Sequence, residues 1–349
     1  MTHLESRKFL LIACVGFPTA LSLWIGNVLL SSLFQNISIP VENISIFRWF
    51  SSVFIPLLFI YWGLKKNSLS LSGCIAGVLN SLYKELIAFV WFSIAGYFVG
   101  FIITLSNFIF LSCLATFFVT SSKLTKFRSH LKQKLEEHFI EGGKRNWIQV
   151  LSNGIVGSII AFIYILDCGA QEQILDVRNK YRCTLIAYSF LGAFACSNGD
   201  TWASEVGPVM IYGANPFLIT TLKRVPKGTN GGVSIAGLLA SFMGGATVGL
   251  SYFVTLLLTV SSNEMRNAPP QWPVILFGGF AGFLGSLIDS FMGATIQYSG
   301  MNKEGKIVEH PGIGVKHISG RHIFDNHGVN LLSTIFTSFL MPYIVLLFY

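Results

Sequence analysis

Long apolar segments follow one another along most of this chain, and they constrain its fold more than any single motif. Of the 349 residues, 52% are apolar and only 11% are charged. A soluble domain carries about 25% charged residues, so fewer than half of the expected charges are present. A water-soluble fold of this composition would expose large apolar patches. The sequence therefore predicts an integral membrane protein whose main partner is the lipid bilayer.

A transmembrane helix needs about 20 mostly apolar residues. The sequence offers nine such segments, of which the two within 69–120 and the short segment 183–196 are the least regular. We therefore predict an all-α fold, a polytopic transmembrane helix bundle of about eight to nine spans. The predicted spans are Phe9–Phe34, Ile46–Leu64, two helices within Leu69–Thr120, Ile148–Leu166, Cys183–Cys196, Val233–Val260, Trp272–Gln297 and Leu331–Phe348.

Glycines recur four residues apart in several of these apolar segments. Inside lipid, such spacing lets the backbones of two helices approach closely. The sequence therefore predicts tight helix packing at four glycine pairs, namely Gly73/Gly77, Gly96/Gly100, Gly245/Gly249 and Gly278/Gly282.

The distribution of Lys and Arg predicts the orientation of the bundle. Segment 123–147 holds seven Lys or Arg and three acidic residues, whereas 35–45 holds no Lys or Arg and two glycosylation sequons, at Asn36 and Asn43. Cytosolic loops carry the excess of basic residues, so the N-terminus and 123–147 are predicted to be cytosolic. Half of the net charge of +8 lies in 123–147, which favours a topology signal over nucleic-acid binding, so no nucleic-acid partner is predicted. A retained first span makes an endomembrane, with the endoplasmic reticulum as the default, the expected location.

The whole chain, 1–349, is predicted to form a single membrane domain. Two spans lie in 1–68, the basic cytosolic loop is 123–147, and the polar motifs lie in 183–349. Six cysteines are scattered, mostly in apolar segments and without CxxC spacing. The sequence therefore predicts neither a disulfide framework nor a zinc site.

The first polar motif is CSNGDTWASEVG, which directly follows an apolar segment. Carboxylates at a membrane boundary are costly to desolvate and often mark a functional site. If this motif is helical, Asn198 shares a face with Glu205, and Asp200 diverges from Glu205 by about 140°, which excludes a simple carboxylate pair. The alternative is a helix N-cap, with Asp200 or Thr201 accepting hydrogen bonds from backbone N–H groups.

The second motif, ITTLKRVPKGTNGGVS, combines three cations with a glycine-rich turn that precedes a predicted helix. Backbone N–H groups at such a turn can bind phosphate oxygens, and Lys and Arg neutralise the charge. The alternative is ordinary topology signalling by basic residues at a cytosolic membrane face. The candidate phosphate- and nucleotide-binding residues are Lys223, Arg224, Lys227, Gly228, Thr229, Asn230, Gly231 and Gly232.

Two further motifs place polar residues in or beside predicted spans. Asp289 lies inside an apolar helix, with Gln297 near its face, and a carboxylate at that depth costs about 2.5 kcal/mol or more. Asp325, Asn326 and Asn330 lead into the last span. The alternatives are an Asp paired with an Arg or a hydroxyl of a neighbouring helix and a simple N-cap at Asp325.

Together these motifs predict a polar site near the cytosolic interface. We expect Asp200, Asp289 and Asp325 to hold Mg²⁺, with Asp200, Glu205 and Asp289 as catalytic residues. Metal, cations and rigid positioning are what phosphoryl transfer requires, and a membrane-embedded version suits a lipid-linked acceptor. Asn198, Gln297, Asn326 and Asn330 are further candidate polar contacts. The rival hypothesis is a transporter or non-enzymatic membrane protein that binds an anionic ligand in the same pocket.

The motifs themselves identify a family resemblance. The segments CSNGDTWASEVGPV, ITTLKRVPKGTNGGVS and 269–300, with SSKLTKF and EGGKRNWIQV, resemble the transmembrane protein 19 family over about Lys65 to Tyr349. That wider family includes plant phytyl-phosphate kinase, which converts an isoprenoid monophosphate to its diphosphate. The resemblance implies an isoprenoid acceptor and a nucleoside triphosphate donor (CTP or ATP) used with Mg²⁺. It also implies that Asp200, Glu205, Lys223, Lys227, Gly228, Asn230, Asp289, Asp325 and Asn330 form a shared polar set.

Overall fold

Helices of alternating direction make up most of the protein. The computed structural model describes residues 16–29, 31, 44–65, 96–127, 147–209 and 215–349, with the backbone alone at 59–65 and Trp147. The predictions that concern Gly73/Gly77, the sequons and most of the basic loop lie outside these residues. The helices are α1 (16–29), α2 (Ile46–Lys65), α3 (Gly96–Ser106), α4 (Phe108–Leu124), α5 (Trp147–Cys168), α6 (Tyr181–Val206), α7 (Ile235–Thr259), α8 (Ser262–Asn267), α9 (Pro273–Ile296) and α10 (Asn326–Leu346).

Four of the described helices are long and apolar enough to cross a membrane: Ile148–Cys168, Ile235–Thr259, Pro273–Ile296 and Asn326–Leu346. They correspond to four of the nine predicted spans, and the total of eight to nine stays a prediction. The predicted span Cys183–Cys196 is too short, because α6 has 26 residues and extends through most of the first polar motif to Val206. Asp200 and Thr201 therefore lie inside a helix and do not cap one, which rules out that alternative.

Glycines hold α6, α7 and α9 together at backbone contact distance. A Cβ atom added to Gly282 would lie 2.5 Å from the Ser241 carbonyl oxygen, and one added to Gly249 would lie 2.6 Å from that of Val274. A Cβ at Gly199 of α6 would lie 2.6 Å from the Cα atom of Gly282. The close packing predicted at Gly245/Gly249 and Gly278/Gly282 is thereby confirmed for α7 and α9.

Short strands correct the all-α prediction in the two segments that join the later helices. β1 (Phe217–Leu218) pairs with β2 (Gly232–Val233), and the order β4-β3-β5 forms a second sheet from Ser299–Met301 (β3), Ile307–Val308 (β4) and Lys316–Ser319 (β5). The segments that join α6 to α7 and α9 to α10 therefore contain ordered β-structure. Strands of two to four residues leave too little alternation in the sequence to be recognised.

A disulfide joins α5 to α6, which the cysteine spacing did not predict. Cys168 and Cys183 are bonded, with their Cα atoms 5.7 Å apart, whereas Cys113 and Cys196 are free and buried. The bridged residues lie 15 positions apart in sequence and meet because the chain reverses between two antiparallel helices. Cysteine spacing in the sequence therefore gives no sign of this pair.

A largely buried ion pair ties α2 to the segment that follows α5. Arg48 donates to both carboxylate oxygens of Glu172, at 2.8 and 3.1 Å, and to the carbonyl oxygen of Ser106. Glu172 also accepts a hydrogen bond from the backbone N–H of Phe108, at the start of α4. The first residues of α2 and α4 and the α5–α6 connection therefore lie at the same end of the bundle.

Candidate active site at one end of the bundle

A cavity of about 520 Å³ lies at one end of the helix bundle. It is bordered by the beginnings of α5, α7 and α10, the second halves of α6 and α9, and the glycine-rich turn. Most of the candidate residues predicted from the sequence line it. These are Asp200, Glu205, Lys227, Gly228, Thr229, Asn230, Gly231, Gly232, Asp289, Gln297, Asn326 and Asn330.

Two partly buried carboxylates from neighbouring helices face this cavity. Asp200 of α6 accepts a hydrogen bond from the Ser286 hydroxyl at 3.4 Å, and Asp289 of α9 accepts one from the Ser333 hydroxyl at 3.1 Å. With its amide oriented to satisfy both neighbours, Asn330 donates to Asp289 Oδ2 at 3.2 Å and to the Asn326 carbonyl oxygen at 3.0 Å. Residues from α6, α9 and α10 therefore fix the carboxylates in place.

Neither carboxylate is neutralised by a basic side chain of the described residues. The ion pairs there join Arg48 to Glu172, Lys180 to Glu264, Arg182 to Asp167 and Lys306 to Glu304. Nor do these residues contain a group of three or more His, Cys, Asp or Glu that could enclose a metal ion. The two carboxylates therefore provide a partial set of hard oxygen ligands, which suits a cation that is also bound by a ligand.

The glycine-rich turn, residues 228–232, forms one wall of the cavity beside α9. Gly228 and Gly231 have φ angles of +87° and +77°, which residues with a side chain rarely adopt. A Cβ at Gly231 would lie 2.6 Å from the Ser290 carbonyl oxygen, so the turn packs directly on α9. Asn230 anchors it, since its N–H donates to Ser299 Oγ and its Nδ2 to the Tyr298 carbonyl oxygen. The turn then leads into α7, where Ser234 caps the helix by accepting from the N–H of Gly237.

Four predicted site residues lie outside the cavity. Lys223 and Arg224 are exposed, and Arg224 stacks over the ring of Phe217 at 5.5 Å. Asp325 is exposed and accepts from the N–H of Gly328, so it serves as the N-cap of α10. Of the three cations in the second motif, only Lys227 borders the cavity.

Asn198, the fourth, is part of the core between helices. It is fully buried, accepts hydrogen bonds from the hydroxyls of Thr120 and Ser121, and donates to the Gly244 carbonyl oxygen. These bonds connect α6 to both α4 and α7. The residue therefore satisfies its amide within the protein and stabilises helix packing.

Gln297 differs from Asn198 in its hydrogen bonding. Its side chain is 3% exposed and borders the cavity, and within the described chain its Nε2 has no hydrogen-bond partner. A buried amide donor without a partner costs about 1–3 kcal/mol. Gln297 lies eight residues after Asp289, about 12 Å along the axis of α9. The cavity thus has a carboxylate within α9 and an unsatisfied donor at the residue that follows this helix.

The sequence motifs do not point to the two hydroxyls that donate hydrogen bonds to the carboxylates. Ser286 precedes Asp289 by three residues, and Ser333 follows Asn330 by three. Residues at this spacing share a helix face, so the helical period around each motif was the signal that could have identified them. Gln149 and Asn153 at the start of α5 also line the cavity.

Comparison with known proteins gives the family. Residues 83–338 match the family described as "Integral membrane protein DUF92". Protein PGR of Arabidopsis thaliana is 42% identical over 295 residues, which cover 84% of this chain and 95% of that protein. Protein VTE6, chloroplastic, of the same plant is 28% identical over 191 residues, covering 55% of this chain and 49% of the relative.

Another relative is named as a membrane protein. The uncharacterized membrane protein MJ0933 of Methanocaldococcus jannaschii is 29% identical over 157 residues, covering 45% of this chain and 53% of that protein. No solved structure matches the chain. The resemblance to transmembrane protein 19 relatives, inferred from the motifs, is confirmed at the level of the family. With a family match over most of its length and a relative of 42% identity, the chain belongs to the DUF92 family of integral membrane proteins.

Proposed function

We propose that this protein is a membrane-embedded phosphotransferase. It transfers the terminal phosphoryl group of a nucleoside triphosphate, CTP or ATP, to an isoprenoid alcohol or isoprenoid monophosphate. The observation that carries the proposal is that Asp200, Asp289 and the glycine-rich turn border the same cavity. Support for the substrate class comes from the resemblance of the motifs to plant phytyl-phosphate kinase.

The donor set of the cavity fits Mg²⁺. Two carboxylates without a basic partner among the described residues offer hard oxygen ligands, and Mg²⁺ is commonly held by one or two carboxylates together with substrate phosphates. Asp200 and Asp289 would hold the ion, which when bound neutralises charge on the phosphate oxygens. Asp325, which caps α10 outside the cavity, is left out of this site.

The glycine-rich turn and Lys227 would bind the phosphates of the donor. The amide N–H groups of Thr229, Asn230 and Gly232 donate to protein oxygens, and those of Gly228 and Gly231 donate to no described residue. Successive amides with glycine φ angles above zero form a concave surface that attracts anions. Lys227 adds a positive charge at the same wall, whereas Lys223 and Arg224 remain at the protein surface.

The acceptor would reach the cavity from the lipid. Gly237 and Leu238 at the start of α7 line the cavity, and their neighbours Ile235 and Leu239 are 79% and 63% exposed. An isoprenoid chain can lie against these apolar side chains while its polar head enters the cavity. An oxygen of the head group then attacks the terminal phosphorus, the bond to the bridging oxygen breaks, and the nucleoside diphosphate leaves. For an alcohol acceptor, Glu205 would take up the proton.

We propose that the protein resides in an endomembrane, with the endoplasmic reticulum as the default, and that its N-terminus is cytosolic. Both follow from the distribution of basic residues and the apolar first segment of the sequence. A cavity at the cytosolic end would be supplied with soluble nucleotide.

Thermal unfolding of the detergent-purified protein tests nucleotide and metal binding before the lipid is known. A ligand that binds the folded state raises its apparent stability by mass action. We expect one nucleotide to raise the melting temperature in the presence of Mg²⁺, and Asp289→Asn to abolish that shift. Asp325→Asn is the matched control, because Asn also caps helices well and the residue lies outside the cavity.

Transfer of labelled terminal phosphate to isoprenoid alcohols and monophosphates in proteoliposomes tests the chemistry. We expect labelled lipid with wild type and Asp325→Asn, and none with Asp289→Asn. Nucleotide binding without any labelled product would favour the carrier or ligand-binding hypothesis. Full transfer by Asp289→Asn would remove this residue from the active site.

A further inference from the structure

The disulfide and the cavity lie at opposite ends of the bundle. α5 begins beside the cavity at Gln149 and ends at the bridged Cys168. α6 runs back from Cys183 to Asp200, which faces the cavity. We refer to these as the cavity end and the bridge end. The same antiparallel course continues through α7, which starts at the cavity and ends at α8 beside Lys180 of the bridge end.

Disulfides form and persist in oxidising compartments and are rare where thiol reductants are abundant. Formation of the Cys168–Cys183 bond releases two electrons and two protons, which reduce a second disulfide, that of an exchange partner in the same compartment, to a dithiol. The bridge end therefore belongs in an oxidising space, and the cavity end belongs on the opposite side of the membrane.

The start of α2 provides a second indication of the same sidedness. The Arg48–Glu172 pair, at 2.8 Å, holds the first turn of α2 against the connection between the bridged helices. Ile44, two residues before α2, donates from its N–H to the side chain of Asn27, so this part of α1 lies at the same end. Residues 35–45, which precede α2 in sequence, carry two glycosylation sequons and no Lys or Arg. Asparagine glycosylation also takes place on the oxidising side.

The charges of the connecting segments supply a third indication. At the bridge end, 169–180 contains Glu172, Asp176, Arg178 and Lys180, which balance. α4 ends and α5 begins beside the cavity, at Thr125 and Gln149. In sequence, 123–147 contains seven Lys or Arg and three acidic residues. An excess of basic residues marks the cytosolic side.

We propose that Cys168–Cys183 is a lumenal disulfide of a secretory-pathway membrane and that the cavity opens to the cytosol. The bridge clamps the lumenal ends of α5 and α6, the helix that carries Asp200. Soluble polar ligands that bind in the cavity therefore enter it from the cytosol. This inference concerns sidedness and does not rest on phosphoryl transfer.

The disulfide is tested in microsomes from cells that express a chain with Cys14→Ser and Cys74→Ser. Free thiols are blocked with N-ethylmaleimide in SDS, the protein is reduced, and polyethylene-glycol maleimide is added. We expect two additions in this parent chain and none after Cys168→Ser or Cys183→Ser. Cys113→Ser is the control and should keep two, because that thiol is free. No addition to the parent chain after reduction would overturn the proposal.

Sidedness is tested in the same parent chain by adding one exposed cysteine at either end. Lys316→Cys lies on β5 at the cavity end, and Asn263→Cys lies in α8 at the bridge end; both positions are exposed. In sealed microsomes verified with a protected lumenal marker, a membrane-impermeant maleimide should label Lys316→Cys alone. Asn263→Cys should react only after detergent is added. Labelling of Asn263→Cys in sealed vesicles, with or without Lys316→Cys, would overturn the proposal.

Discussion

The packing of Gly282 against α7 allows a stability prediction to be worked from distances. A Cβ at position 282 would lie 2.5 Å from the Ser241 carbonyl oxygen, 2.8 Å from Gly245 Cα and 2.9 Å from Gly245 N. Ordinary van der Waals contact begins at 3.4 Å. All three neighbours belong to the backbone, so no side chain can rotate to make room. Gly282→Ala must therefore push α7 and α9 apart.

The distances set the size of the effect. The shortest contact needs about 0.9 Å of separation, and a gap of 0.5–1 Å forfeits roughly a quarter to a half of the dispersion energy across an interface. Overpacking a close-packed core costs about 1–3 kcal/mol. We expect the upper end, about 3 kcal/mol, because the clash involves backbone atoms on two turns of α7.

Thermal unfolding in detergent measures this loss. We expect Gly282→Ala to lower the apparent melting temperature by about 5 °C or more. Gly26→Ala in α1 is the matched control, because a Cβ there meets nothing within 4 Å. It should leave the melting temperature unchanged or raise it slightly, since alanine favours helix. Equal melting temperatures for Gly282→Ala and Gly26→Ala would refute backbone contact between α7 and α9.

Three further predictions concern individual side chains. Arg48 and Glu172 are 10% and 14% exposed, so Arg48→Met should cost about 3–5 kcal/mol, and adding Glu172→Gln should recover most of that loss in thermal unfolding. Gln297→Leu should leave the ligand-free protein at least as stable as wild type, because the Nε2 that it removes is a buried donor without a partner among the described residues. We expect the nucleotide to accept a hydrogen bond from this donor in wild type, so the variant should bind nucleotide about tenfold more weakly in calorimetric titration. The hydrogen bond from the Asn179 side chain lowers the pKa of Asp176, so its carboxylate stabilises the fold above the unfolded pKa of about 3.9, and this contribution is lost as the pH falls through the lower, folded pKa. The stability gap between wild type and Asp176→Asn should therefore narrow below about pH 4 in unfolding curves.

The apolar helices could be predicted from the sequence. The polar half of α6 and the short strands could not, because they do not have the apolar composition of a membrane span. α5, α7, α9 and α10 were recognisable because each has enough apolar residues to cross a bilayer. The second half of α6 was not, because it forms a cavity wall and is polar although it is helical. The strands β1 to β5 were missed for a different reason, because they are too short for an alternating pattern.

At the site, the sequence identified carboxylates and the glycine-rich turn but could not sort ligand contacts from structural ones. Asn198 and Asn330 looked alike in sequence. Their hydrogen-bond partners distinguish a structural role from a ligand contact, and those of Asn198 lie 46 to 78 residues away on other helices. Asp325 behaves as the N-cap that was held open as an alternative. The disulfide was likewise invisible, because it depends on two helix ends meeting.

Glycine packing and the carboxylate pair are parts of one arrangement. Asp200 directly follows Gly199, where a Cβ would lie 2.6 Å from Gly282 Cα. Asp289 follows Gly282 by seven residues, about two turns along the same face of α9. The Gly199–Gly282 contact therefore sets the spacing of α6 and α9 beside one carboxylate, and the rigid helix carries that spacing to the other. Mg²⁺ demands oxygen ligands at about 2.1 Å, so in the proposed site a shift of about 1 Å would separate the ligands. Gly199 has no glycine four residues away in sequence, so the spacing rule for helix packing did not identify it. This residue nevertheless links the packing of α6 on α9 to the position of the carboxylates.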